Sequence, residues 1–122
     1  MTIDQNTVIS VLEEAISCLP VIREGVELYR ENPAAPERLE TAYRDAQSIK
    51  GAASMIDQPD VYEMARQLEL VLRDIAATRP LLDTNMAQNI HNRIDELEKL
   101  LAAKKEFMSF EEDLFEDLSE FT

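Results

Sequence analysis

The sequence predicts an all-α fold, an antiparallel four-helix bundle with a candidate extra helix at the C-terminus. Four segments carry apolar residues at alternating intervals of three and four, which lays one stripe along one side of an α-helix. No stretch alternates apolar and polar residues with period two over the length of a strand. Between the segments stand Asn32-Pro33-Ala34-Ala35-Pro36, Asp57-Gln58-Pro59 and Arg79-Pro80. Connections this short make successive helices antiparallel neighbours around one core.

The first helix is expected from Ile3 to about Glu31, with Val8, Leu12, Ala15, Leu19, Ile22, Val26 and Tyr29 forming its seam. Pro20 removes one backbone hydrogen bond and crowds the carbonyl four residues back. That predicts a kink near Ser17 to Leu19, or two abutting helices. Gly25 weakens the second half further. The second helix runs from about Pro36 to Ile56 and the third from Pro59 to about Thr78, with Val61, Met64, Ala65, Leu68, Val71, Leu72 and Ile75 on its stripe. Pro36 and Pro59 suit the first turn of a helix, where the missing N–H would have no partner. Asp57 is a candidate cap for the third helix, and Asp83 or Thr84 can cap a fourth, whose stripe is Ala87, Ile90, Ile94, Leu97 and Leu101.

Residues 1–103 are thus read as the bundle and residues 104–122 as an acidic amphipathic tail or linker. The tail sets Phe107, Phe110, Leu114, Leu118 and Phe121 at helical spacing between acids, and Ser109-Phe110-Glu111-Glu112 can form a capping box. It is expected to become a helix on docking to a groove of the bundle or of a partner.

A chain of 122 residues, 45% hydrophobic, fits one domain with a single core. The formal net charge of −13 opposes any surface built to neutralise phosphate backbones, so nucleic acid and anionic membranes are excluded as direct partners. The N-terminus lacks the layout of a signal peptide, and no apolar run approaches the roughly 20 residues that cross a bilayer. A cytoplasmic location is expected. Cys18 is the single cysteine and falls among apolar neighbours, so it is expected to pack as a small hydrophobe.

Chemistry concentrates in the second helix, at Tyr43 to Ile56. Leu39, Ala42, Tyr43, Ala46, Ile49, Ala53 and Ile56 form its apolar stripe, while Arg44, Gln47, Lys50, Gly51 and Ser54 occupy the opposite side. Helical side chains lean toward the N-terminus, so a bulky residue at 51 would cover position 47. Glycine leaves position 47 open, at a cost of roughly 1 kcal/mol in a helix interior.

This segment, Ala46-Gln47-Ser48-Ile49-Lys50-Gly51-Ala52-Ala53, resembles the histidine-phosphotransfer (HPt) domains of two-component signalling, most closely the one that begins chemotaxis-type (CheA-like) histidine kinases. That family carries His-x-x-Lys-Gly on the second helix of an antiparallel bundle, and its histidine accepts and passes on a phosphoryl group. Every motif position matches except the histidine, where Gln47 stands. An amide nitrogen delocalises its lone pair into the carbonyl and cannot attack phosphorus as imidazole does. The resemblance spans about residues 5–102 and implies a supporting network of Lys50, Gly51, Glu69 and Arg66, with Glu69 on the third helix accepting from the Gln47 amide or from Lys50. On periodicity alone, Tyr62, Arg66, Glu69 and Arg73 form a solvent-facing row, and the blander account of its charges is a solvated ladder worth a few tenths of a kcal/mol per pair.

His91, the single histidine, is followed by Asn92 and Arg93 rather than by a Lys-Gly pair, and reads as a flanking surface residue of the fourth helix. A di-iron carboxylate site needs Glu-x-x-His on two helices, and Gln88 precedes His91 at the required spacing. No metal site, cofactor or catalytic site is expected. The resemblance implies a phosphotransfer-like domain without its acceptor, docking a response-regulator receiver domain or a histidine-kinase catalytic domain across the first two helices, as a monomer or weak dimer. The alternatives are a structural, dimerising bundle and an active domain whose histidine was mutated to Gln47.

Overall fold

The computed structural model describes residues 4–119, with side chains described as far as Phe110. It contains four helices, α1 (Gln5–Glu31), α2 (Glu37–Met55), α3 (Pro59–Thr78) and α4 (Thr84–Ser119), and no strand among the described residues. Helix α1 packs on α2 and α4, and α3 packs on the same two, while neither diagonal pair makes a sustained contact among the described residues. The chain is therefore a four-helix bundle whose sequence neighbours are spatial neighbours, as short connections require.

Each stripe becomes one face of the core. Leu12, Leu19, Ile22 and Val26 of α1 meet Leu39 and Ile49 of α2, Leu68 and Leu72 of α3, and Ile94, Leu97 and Leu101 of α4, all fully buried. Tyr29 is buried too, and its hydroxyl donates to the Pro80 carbonyl at 2.6 Å, tying the end of α1 to the α3–α4 connection.

The boundaries follow local chemistry. The Asp4 carboxylate accepts from the Thr7 N–H at the start of α1, and the Asp83 carboxylate accepts from the Met86 N–H at the start of α4. Pro59 opens α3, but no side chain caps it: Asp57 instead takes the left-handed turn that reverses the chain, at φ 56°. Arg79 closes α3 in the same left-handed region, at φ 52°, and its N–H donates to the Ile75 carbonyl.

Three expectations change. Helix α1 is not two abutting helices: it runs unbroken through an exposed Pro20 between the fully buried Leu19 and Ile22, so core packing on both sides holds the segment helical. Gly25 is buried where α1 passes close to α2, and an added Cβ there would lie 2.9 Å from the Arg38 carbonyl oxygen and 3.1 Å from the Ala42 Cβ. Its place is set by packing, not by helix propensity. Finally, α4 passes residue 104 without a break, so Ser109 lies inside a helix and caps nothing. Met108 packs on the core, its carbonyl accepts from the Gln5 side chain, and Phe107 and Phe110 are exposed. The rest of the proposed tail stripe, Leu114, Leu118 and Phe121, lies outside the residues whose side chains are described.

Candidate functional site

The centre of the α2–α3 interface is a buried carboxylate. Glu69 is only 2% exposed, and its Oε2 receives the Lys50 ammonium at 2.7 Å. Its Oε1 faces the Arg73 guanidinium at 3.5 Å. A carboxylate removed from water is tolerated only where cations and hydrogen bonds replace the lost hydration. Two cations do so here, and no buried side-chain polar atom among the described residues lacks a partner.

The expected solvent-facing row on α3 is therefore divided. Tyr62, Arg66 and Arg73 are exposed, but Glu69 lies between Ala65 and Leu72 at intervals of four and three, on a second buried row. The 65–69–72 spacing was the available signal, hidden because an acid breaks the apolar pattern.

The resemblance grouped Lys50, Gly51, Glu69 and Arg66 around position 47. The structure brings Lys50 and Glu69 into contact across two helices and leaves Arg66 outside. Arg66 donates to Glu63 at 3.1 Å on its own helix. The cation that does reach Glu69 is Arg73, which also stands over the Tyr43 ring, 5.9 Å from its centroid. Gln47 is exposed on α2 and makes no side-chain hydrogen bond among the described residues, so Glu69 accepts from Lys50 and not from the Gln47 amide. Gly51 is exposed, and a Cβ added there would meet nothing within 4 Å.

Beside Gln47, a shallow apolar groove of about 120 Å³ runs between α1 and α2, lined by Val11, Ala15, Cys18, Ser48, Ile49 and Ala52. Burial, followed by the nearby charges of Asp45 and Glu14, pushes the Cys18 thiol above its ordinary pKa. It is therefore a poor thiolate and packs as a small apolar group. Burial likewise raises the Asp45 carboxyl.

His91 is not a surface flank. Its Nε2 lies 2.7 Å from the Glu27 carboxylate, half-buried between α4 and α1, because that side of α4 packs on the second half of α1. The described residues contain no cluster of three metal-ligating side chains. None of their helices is long and apolar enough to cross a membrane.

No curated protein and no solved structure matches the chain. The family model for the Hpt domain matches residues 7–107, which reach into all four helices and include both sides of the Lys50–Glu69 contact. Hpt domains interact with response regulators or kinases in phosphorelays. The chain belongs to the Hpt domain family, the phosphotransfer modules of two-component signalling.

Proposed function

We propose that this Hpt domain lacks a phosphoacceptor, with Gln47 at the acceptor position, and serves as a docking module for a response-regulator receiver domain or a histidine-kinase catalytic domain of chemotaxis-like signalling. One observation carries this reading: the Lys50–Glu69 pair and the open Gly51 frame an exposed side chain that has no nucleophilic nitrogen. An acceptor needs an imidazole lone pair, a cation to meet the phosphoryl oxygens and open space for the partner's active site. This chain has the second and third. The partner lies across α1 and α2 around Gln47, where the apolar groove beside Ser48 supplies contact area. The site performs no catalysis of its own, and the module acts in the cytoplasm.

The test is labelled phosphate transfer from a chemotaxis-type kinase core supplied with ATP. The native chain is expected to stay unlabelled, and Gln47→His to acquire acid-labile phosphate: its Nδ1 or Nε2 forms the N–P bond to the γ-phosphoryl, the bond to the bridging oxygen breaks and ADP leaves, while Lys50 faces the phosphoryl oxygens. Label on the native chain that disappears in His91→Ala would overturn the reading. So would a folded Gln47→His variant that stays unlabelled with several kinases.

The near-complete frame also favours a second reading, an otherwise active domain in which only the histidine was exchanged. Retaining a mid-helix glycine at a cost of roughly 1 kcal/mol fits a site still under use.

A further inference from the structure

The structure assigns the second cation at position 47 to Arg73: we propose that Arg73, not Arg66, faces an oxyanion delivered to this site, with Lys50 on the other side. The inference rests on the proposed function only in taking that oxyanion to be a phosphoryl group.

Helices α2 and α3 are antiparallel neighbours, with Arg73 over Tyr43 toward one end of their contact and Tyr62 sharing a pocket with Ala53 and Ser54 toward the other, so Gln47 falls about level with Glu69. The Arg73 side chain leans toward the N-terminus of α3, over Glu69 and so toward the level of Gln47. Arg66 leans the same way, toward Glu63, which carries it away from Gln47 and toward the α2–α3 connection. The side chain of residue 47 leans toward the N-terminus of α2 and so over Tyr43, one turn earlier. Arg73 already stands at that ring.

The second element is restraint. Arg73 is 59% exposed, yet it is held from two sides, by the Glu69 Oε1 and by the face of Tyr43. Its contact with Glu69 is long at 3.5 Å, whereas Lys50 holds the other oxygen at 2.7 Å. The guanidinium thus keeps donors free for an incoming anion, and a planar fork suits two oxygens of one phosphoryl group. Arg66 is engaged instead with Glu63, at 3.1 Å, on the side of it away from Glu69. Two cations against one buried carboxylate also make this a locally positive spot on a chain of net charge −13, which favours an anion here over its surroundings.

The experiment has two arms. In the first, Gln47→His is labelled with phosphoramidate, which needs no kinase: the imidazole nitrogen forms the new N–P bond, the donor's N–P bond breaks, and ammonia leaves with the proton. Adding Arg73→Ala is expected to raise the half-saturating phosphoramidate concentration about tenfold while changing the saturated rate far less, and Arg73→Lys to recover part of the loss. Tyr43→Leu, which frees Arg73 without removing charge, should raise it about threefold, and Arg66→Ala less than twofold. Thermal midpoints of the same variants separate binding from folding. Equal effects of Arg66→Ala and Arg73→Ala, or an unchanged half-saturation in Arg73→Ala, overturn the assignment.

In the second arm, the native chain is titrated with inorganic phosphate and followed by the NMR signals of the Arg73 and Arg66 Nε–H groups and the Gln47 amide. The Arg73 and Gln47 signals should saturate together while Arg66 stays still; movement of Arg66 alone, or of none, overturns it. Saturation at Arg73 with an unlabelled Gln47→His variant would sink the phosphorelay reading and leave the anion site standing.

Discussion

The two glycines of this chain occupy similar positions in helix interiors, yet alanine at each should change stability in opposite directions. At Gly51 the new methyl group enters open space, with no atom within 4 Å. Only the backbone effect remains, and Gly51→Ala should stabilise the fold by roughly 0.5–1 kcal/mol. At Gly25 the same gain is opposed by a Cβ placed 2.9 Å from the Arg38 carbonyl oxygen and 3.1 Å from the Ala42 Cβ, both parts of α2 that cannot rotate away. Forcing the helices apart costs about 1–3 kcal/mol, which leaves Gly25→Ala destabilised by about 0–2.5 kcal/mol once the gain in helix propensity is subtracted. A chain of this length shifts its thermal midpoint by about 4 °C per kcal/mol. Gly51→Ala should therefore melt ~2–4 °C higher and Gly25→Ala up to ~10 °C lower, each checked by urea midpoints at constant m-value. A Gly25→Ala protein more stable than the native chain would refute the close approach of α1 and α2. A destabilised Gly51→Ala would mean that position 51 is not open.

Other expectations follow from single contacts. Lys50→Met strips the buried Glu69 of its nearer cation and should cost about 1–3 kcal/mol, Arg73 sparing the full penalty of an unpaired carboxylate; adding Glu69→Gln should recover part of that loss, and strict additivity in the double mutant would argue against the pair. Tyr29→Phe keeps the ring and removes only the hydroxyl bonded to Pro80, so a loss of about 1 kcal/mol by chemical denaturation is expected. At Asp60 burial raises the carboxyl, but hydrogen bonds from Lys104 and the Val61 N–H outweigh it and hold the group below its ordinary value. Its stabilising contribution is then present above the ordinary carboxylate range and lost as pH falls through the lowered value. Asp60→Asn should flatten the acid limb of the stability curve, and an acid limb identical to the native one would exclude Asp60 as a source.

How much of this was legible beforehand depended on whether the cause was local. The stripes of α1 to α4, the prolines at the connections and the Asp83 cap all follow from spacing of three and four and from the orphan N–H groups at helix starts, which concern residues within a turn of one another. The exposure of Gly51 followed from the same reasoning. Glu69 misled because periodicity sorts residues by polarity, and an acid on the inner row is assigned to water until a neighbouring helix is known to bring an ammonium to it. The exchange of Arg66 for Arg73 turned on the register of two helices, which neither helix encodes alone.

By itself, then, the sequence determined four amphipathic helices and the connections between them, because periodicity and the helix-stopping prolines act over a few residues. Only the tertiary structure decided that Pro20 does not break α1, that Gly25 is a contact point, that Glu69 is buried between two cations, and that His91 joins α4 to α1 through Glu27. Each of these depends on the distance and register between elements, which core packing selects from many arrangements compatible with the same stripes.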